Sequence, residues 1–309
     1  MSFMAMLGHK EQERRLARAL QQDALVASLL VTGPIGIGKT LFAKKLACAL
    51  LSYDAQQPAN AETLTPLCAP VVIQRMREET HPDLVISALA PKESPVEHIR
   101  SILKKIYTKP TMAPFKVVIF ENADEFNRNA ANALLKTLEE PPMRTFIILT
   151  SSHPERLLPT IRSRCLRVTL APLSATNMGT VLKRLHIALE PSLVSLCDGS
   201  PGTALMLYER ADVHRNFFEA LNEDSLAKAQ VFAEEEEAWP LFSWLAPRTL
   251  HRVVCAEDTE ATPLRAHALT LWQDVLQKIM QAERLNLDRK AVMLWFLCSL
   301  REVLHRKAC

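Results

Sequence analysis

A chain of 309 residues with 48% hydrophobic and 23% charged side chains can fill two or three cores, which excludes a disordered or low-complexity protein. Scarce aromatics (6%) and only 7 glycines argue against a β-sandwich and for helix-rich packing by Leu and Ala. No apolar run reaches the roughly eighteen residues of a membrane span and the first residues lack a secretion signal, so a cytoplasmic protein without membrane contact is expected.

Charge is distributed unevenly. Residues 1–170 carry 22 Lys and Arg against 16 Asp and Glu, whereas residues 171–309 carry 15 against 18. The mild basic bias suits phosphate-bearing partners but falls short of a nucleic-acid footprint. Seven cysteines, at 48, 68, 165, 197, 255, 298 and 309, lack C-x-x-C spacing. Neither a disulfide framework nor a metal cage is expected, and most are read as small buried apolar residues.

The first element is an amphipathic helix near 10–22, with His9 before it and Arg14 and Arg15 on it. That trio reads either as the flank of an adenine pocket or as a solvated helix face. An apolar strand at 28–32 follows, then Gly33-Pro34-Ile35-Gly36-Ile37-Gly38-Lys39-Thr40. Three glycines let the backbone aim N–H groups at one phosphate, Lys39 reaches the β- and γ-phosphates, and Thr40 is placed to ligate Mg²⁺. The helical pattern over 41–51 puts this loop at a helix N-terminus, which favours anions. A phosphate-binding loop between strand and helix is therefore expected.

Further strands are predicted at 83–89, 116–120, 145–150 and 165–170, with helices at 95–107 and 128–139. Continuous apolar strands alternating with helices predict a five-stranded parallel sheet covered on both faces. In the second of these helices Asn132, Leu134, Leu135 and Leu138 read as one packed face, closed by Glu139, Glu140 and Pro141. After Pro172 only helical periodicity remains, broken at Asp198-Gly-Ser-Pro-Gly202 and around Pro240 and Pro247. The expected organisation is an α/β nucleotide-binding domain at 1–171, a small helical lid at 172–210 and an all-helical domain at 211–309. Glu234–Glu237 reads as a solvated face, and Trp239, Trp244, Trp272 and Trp295 as core or subunit contacts.

The end of the third strand decides what the loop can do. ATPases of this type place there an Asp for Mg²⁺ and a Glu that activates water. Here the strand runs into Glu121-Asn122-Ala123-Asp124. Glu121 reaches a metal with one extra methylene, but Asn122 cannot take a proton; losing a general base costs about 10²–10⁴ in rate. The rival register makes Asp124-Glu125 the acidic pair. Thr150 or Ser151, ending the fourth strand, is a candidate γ-phosphate sensor or the cap of the next helix.

Asn132-Ala-Leu-Leu-Lys-Thr-Leu-Glu-Glu-Pro-Pro142, Thr145–Thr150 and Leu158-Pro-Thr-Ile-Arg-Ser-Arg-Cys165 together resemble the bacterial clamp-loader subunits of the AAA+ class, in register with the loop. The match covers most of residues 1–170 and extends more loosely through the Gly199–Leu205 turn. The resemblance implies an AAA+ domain, a lid and a helical oligomerisation collar. Hydrolysing members carry Asp-Glu after the third strand and an Arg in the lid turn. Here those places hold Glu121-Asn122 and Gly202, which resembles a member that does not hydrolyse ATP.

For such a member the resemblance implies ATP and Mg²⁺ held without turnover at Gly33, Gly36, Gly38, Lys39, Thr40, Glu121 and the sensor Thr150. It also implies that Arg164, before the fifth strand, acts in trans as an arginine finger on a neighbour's ATP, with Arg162 a weaker candidate. Alternatively Arg164 pairs with a local carboxylate. His81-Pro-Asp-Leu84 fits the family, but its four zinc-binding cysteines are reduced to Cys48 and Cys68, so zinc is not expected. Implied partners are the gamma or tau ATPase subunits, the clamp-opening delta subunit and, through the complex, the sliding clamp and primer–template DNA. Two other readings are an active AAA+ ATPase using Asp124-Glu125 and a small-molecule P-loop kinase.

Overall fold

The computed structural model describes residues 6–53, 63–87, 95–222, 226–235, 238–255, 262–285 and 287–305. They fall into two compact units, one of residues 1–186 with 198–203 and one of residues 187–197 with 204–309. The first is an α/β layer structure. Its strands are β1 (Ser28–Thr32), β2 (Leu84–Ser87), β3 (Lys116–Phe120), β4 (Thr145–Ser151) and β5 (Leu166–Thr169). All neighbours are parallel, in the order β2-β3-β4-β1-β5, so β2 and β5 are the edges. Residues 88 and 89 of the predicted second strand lie outside the described residues, as do Glu236, Glu237 and Cys309.

Both faces of the sheet are covered because the middles of β1, β3 and β4 are apolar at successive positions. Leu29, Val31, Val117, Ile119 and Ile148 pack on one face with α1 (Lys10–Gln21) and α2 (Lys39–Leu51). Leu30, Val118, Phe120, Ile147 and Leu149 face the other way, onto α4 (Pro95–Ile106), α5 (Arg128–Glu139) and α6 (Pro159–Arg164). The period-2 alternation of strand side chains divides one apolar run between two cores. The short helices α3 (Pro70–Arg77) and α6 were not foreseen. Both begin on a proline, whose fixed φ suits the first helical position and whose missing N–H costs nothing there.

In α5 the Asn127 carboxamide caps the helix by accepting from Ala130 N at 2.9 Å. Leu134 and Leu138 are buried as expected, but Asn132 is exposed, and Ala130, Ala131 and Thr137 complete the packed side. A polar amide on that side would have needed a partner in the core, whereas the exposed Asn132 amide is solvated.

The second unit is helical throughout its described residues. It contains α8 (Pro191–Leu196), most of α9 (Pro201–Glu209), α10 (Ala211–Asn222), α11 (Leu226–Glu234), α12 (Ala238–Cys255), α13 (Thr262–Leu285) and α14 (Arg289–His305); α7 (Ala175–Arg184) belongs to the first. The break expected around Pro240 falls just before it, α11 ending at Glu234 and α12 starting at Ala238, whereas the break expected around Pro247 does not occur. Pro240 sits in the first turn of α12, where its lost N–H is harmless, and Pro247 lies inside the helix. In the same stretch Arg248 Nη1 and the Thr249 hydroxyl donate to the carbonyls of Trp244 and Leu245. Arg248, Lys278 and Arg289 lie over the rings of Trp244, Trp295 and Trp239 at 4.4, 4.6 and 5.5 Å. Those ring faces are covered, in keeping with a core role. No helix among the described residues is long and apolar enough to cross a membrane.

Candidate nucleotide site and exposed sheet edge

The strand–loop–helix unit forms as its sequence requires. Gly33 leaves β1, Gly36 and Gly38 take φ of 77° and 102°, and Gly38 caps α2. The helix starts at Lys39, two residues before the apolar periodicity begins, because Lys39 and Thr40 have no core role but carry helical backbone. Lys39 is bent back over its own loop. Its ammonium donates to the carbonyls of Gly33 at 3.0 Å and Pro34 at 2.8 Å. Burial pushes its pKa down to about 8, against the pull of the Asp124 charge.

The head of α9 rests on this loop within the first unit. Gly202 N donates to Gly36 O at 2.8 Å, and the Thr203 hydroxyl donates to Ile35 O at 3.4 Å. A Cβ on Gly36 would lie 2.6 Å from Thr203 N, and a Cβ on Gly202 would lie 2.8 Å from Gly36 Cα. Two glycines face each other with no room for a side chain on either. The place where hydrolysing relatives were expected to carry an arginine is thus a backbone-to-backbone contact.

Beyond β3 the chain turns at once. Asn122 adopts φ 48°, and its N–H donates to the Thr150 hydroxyl at 3.1 Å. Thr150 is thereby tied to the β3 exit, whereas the Ser151 hydroxyl, also buried, has no hydrogen-bond partner. Asp124 Oδ1 accepts from Ser152 N at 3.1 Å and Glu125 is exposed. Glu121, half-buried, lines a cavity of about 400 Å³ with Lys44, Glu79 and His81. Of the carboxylates after β3, Asp124 is the one whose charge acts on Lys39.

At the other end of the loop, His9 takes the left-handed conformation before α1 and sets its ring edge-on to Phe42, 6.5 Å between centroids. Burial lowers its pKa, and its Nε2 is enclosed without a hydrogen-bond partner. Arg14 and Arg15 point outward. A glycine cradle at a helix N-terminus, a buried lysine and an unpaired buried ring nitrogen together fit a nucleotide. Among the described residues no cluster of three or more His, Cys, Asp and Glu is arranged for a metal. Cys48 and Cys68 are hydrogen-bonded to one another, which together with burial pushes the Cys68 thiol up.

Arg164 ends α6 just before the edge strand β5. Its Nη1 donates to Thr160 O at 3.0 Å and its Nη2 forms an ion pair with Glu139, the last residue of α5. The side chain is 33% exposed. Arg162 is exposed on the same helix.

Two groups that position these features were missed by sequence reading. Glu13 and Lys45 form an ion pair of 2.7 Å with both side chains 4% exposed, tying α1 to the phosphate-loop helix. The sequence signal was slight: a charged residue on the apolar face of each amphipathic helix. Asp83, fully buried, accepts from the N–H groups of Thr111, Met112 and Ala113 at 2.7, 2.7 and 2.9 Å. Burial alone would raise its pKa, but these donors hold it below the usual carboxylate range. It clamps the approach to β3 against the start of β2, giving His81-Pro-Asp-Leu84 a structural meaning.

A five-stranded parallel sheet in this order, a phosphate loop after β1 and a lid turn seated on the loop define an AAA+ fold. The family model described as DNA polymerase III, delta subunit, matches residues 8–174. The chain belongs to this family and is a delta-prime-like clamp-loader subunit. It is 34% identical over 235 residues to the DNA polymerase III subunit delta' of Pseudomonas aeruginosa, covering 72% of this chain and 70% of that protein. It is 31% identical over 211 residues to the subunit tau/gamma of Haemophilus influenzae, covering 65% of this chain but 29% of that relative. The crystal structure of a gamma subunit-related protein from Thermotoga maritima shares the fold, with a TM-score of 0.53, 18% identity and coverage of 94% and 99%.

Proposed function

We propose that this chain is the non-hydrolysing subunit of a bacterial DNA polymerase III clamp loader, and that it lends Arg164 to the ATP site of a neighbouring gamma or tau subunit. Residues 1–171 act as the AAA+ domain, 172–210 as its lid and 211–309 as the collar that joins the ring. Through the complex, with the delta subunit, it serves the sliding clamp and primer–template DNA.

The observation that carries the reading is the contact of Gly202 with Gly36, which leaves no space for a lid arginine over the loop. Asn122, the residue in line for the water-activating role, has no basic atom to take a proton. Were ATP to bind, the loop N–H groups and Lys39 would hold its phosphates, Thr40 and Glu121 would serve Mg²⁺, and Thr150 would stand at the sensor position, with no bond broken. Supporting a role in trans, the Arg164 side chain is one-third exposed and stands beside the edge strand. Delivered to a phosphoryl group in a neighbour, such a group is worth about 10³–10⁵ in related reactions.

The test is ATP turnover by the reconstituted loader, stimulated by clamp and primed DNA, with this chain wild type or Arg164→Ala. A fall of about a hundredfold at one adjacent site, in a complex that still elutes whole, is expected. Unchanged turnover refutes the role in trans. The second reading, an active ATPase using Asp124, is favoured by the effect of Asp124 on Lys39. It predicts turnover by the purified chain alone, where the first reading predicts none above background.

A further inference from the structure

We propose that Glu139 is the positioning residue for Arg164, holding the guanidinium in place beside the sheet edge before any neighbour arrives. The inference rests on the role in trans assigned to Arg164 above. Each terminal nitrogen of Arg164 has its own anchor: Nη1 on the Thr160 carbonyl one turn back in α6, and Nη2 on the Glu139 carboxylate from α5. The Ser163 hydroxyl donates to the same Thr160 carbonyl at 3.1 Å, so that acceptor is shared and holds the arginine less exclusively. Glu139 is the anchor from a second element, so it ties the guanidinium to α5 as well as to its own helix.

The pair is not there for stability. At 33% and 47% exposure it belongs to the class of surface ion pairs that contribute almost nothing to folding. Glu139 also sits at the C-terminus of α5, where the helix dipole disfavours an anion and favours the arginine. An acid in that place is explained by what it holds. An arginine free to rotate would have to be ordered when the neighbouring ATP site forms, and the pair removes that ordering from the encounter. The ion pair leaves the outer N–H groups of the guanidinium for the incoming phosphates.

The experiment uses the reconstituted loader with Glu139→Ala, Glu139→Gln, Arg164→Ala and the double variant Glu139→Ala/Arg164→Ala, after thermal melting and gel filtration establish that each chain folds and assembles. Glu139→Ala is expected to lower the turnover number at the adjacent site by about three- to tenfold, the rate equivalent of ordering one long side chain, with KM for ATP unchanged. Glu139→Gln, which keeps an acceptor oxygen, should recover most of that loss. In the Arg164→Ala background, Glu139→Ala should have no further effect. Unchanged or raised turnover in Glu139→Ala overturns the proposal, as does a loss that simply multiplies with that of Arg164→Ala. A loader indifferent to Arg164→Ala overturns instead the role in trans, which keeps the two failures distinct.

Discussion

The phosphate loop and the Arg164 edge lie in the same domain and are finished to opposite degrees. Around the loop the backbone and side-chain groups are paired with one another: Lys39 with the carbonyls of Gly33 and Pro34, Gly36 with Gly202 and Asn122 with Thr150. At the edge, Arg164 has two anchors and an exposed flank. A site whose groups are already paired within the chain gives up bonds to admit a ligand. A charged group held at a sheet edge gives up little to meet one. On the proposed function, the contrast is between a nucleotide loop retained as part of the architecture and a residue presented for use elsewhere.

Four measurements break or sharpen that contrast. The largest effect is expected under the loop, where Glu13→Ala leaves Lys45 buried and unpaired; chemical denaturation should report a loss of about 3–5 kcal/mol. Replacing both by apolar residues of similar volume should restore most of it, because the cost lies in the stranded charge. If Glu13→Ala unfolds no more easily than wild type, α1 is not fastened to α2 by this pair. Next is the hundredfold fall in stimulated turnover for Arg164→Ala.

Smaller still is Lys39→Ala. If the loop is architectural, the clamp-loading rate of the assembled loader should stay within about twofold of wild type, against the 10²–10⁴ expected for a working acid–base site. A large fall would mean that this loop cycles through hydrolysis. The smallest effect is a proton. With a pKa of about 8, half of Lys39 is neutral at pH 8, and an approaching phosphate favours the charged form. Binding of ATP should therefore take up about half a proton at pH 8 and almost none at pH 6, where Lys39 is already charged. Calorimetry in buffers of different ionisation enthalpy measures this directly. Uptake that does not vary with pH would show that Lys39 never meets the phosphates; no binding heat at all would make the loop purely structural.

Periodicity carried most of the first domain. The strand at 28–32, the loop and the strand at 116–120 were legible because a buried parallel strand is apolar throughout and a phosphate loop needs its glycines in fixed places. Asn132 was misplaced because a polar residue flanked by small apolar ones fits either side of a helix until the neighbouring elements are known. Pro247 reads as a break because an interior proline removes one backbone bond, a local cost that the burial of Leu241, Phe242, Leu245 and Leu250 along the same helix outweighs.

By itself the sequence determined the sheet, the loop and a residue, Asn122, that cannot take a proton, since these depend on residue type and near-neighbour spacing; the candidacy of Arg164 came from the family resemblance of the motif around it. Tertiary structure alone decided that Gly202 seats on Gly36, that Glu13 is paired with Lys45 and that Glu139 holds Arg164. Each of these contacts joins residues from separate elements, and their sequence separations range from 25 to 166 positions. Local propensity does not reach that far; only the packing of whole helices against one sheet brings such pairs to hydrogen-bonding distance.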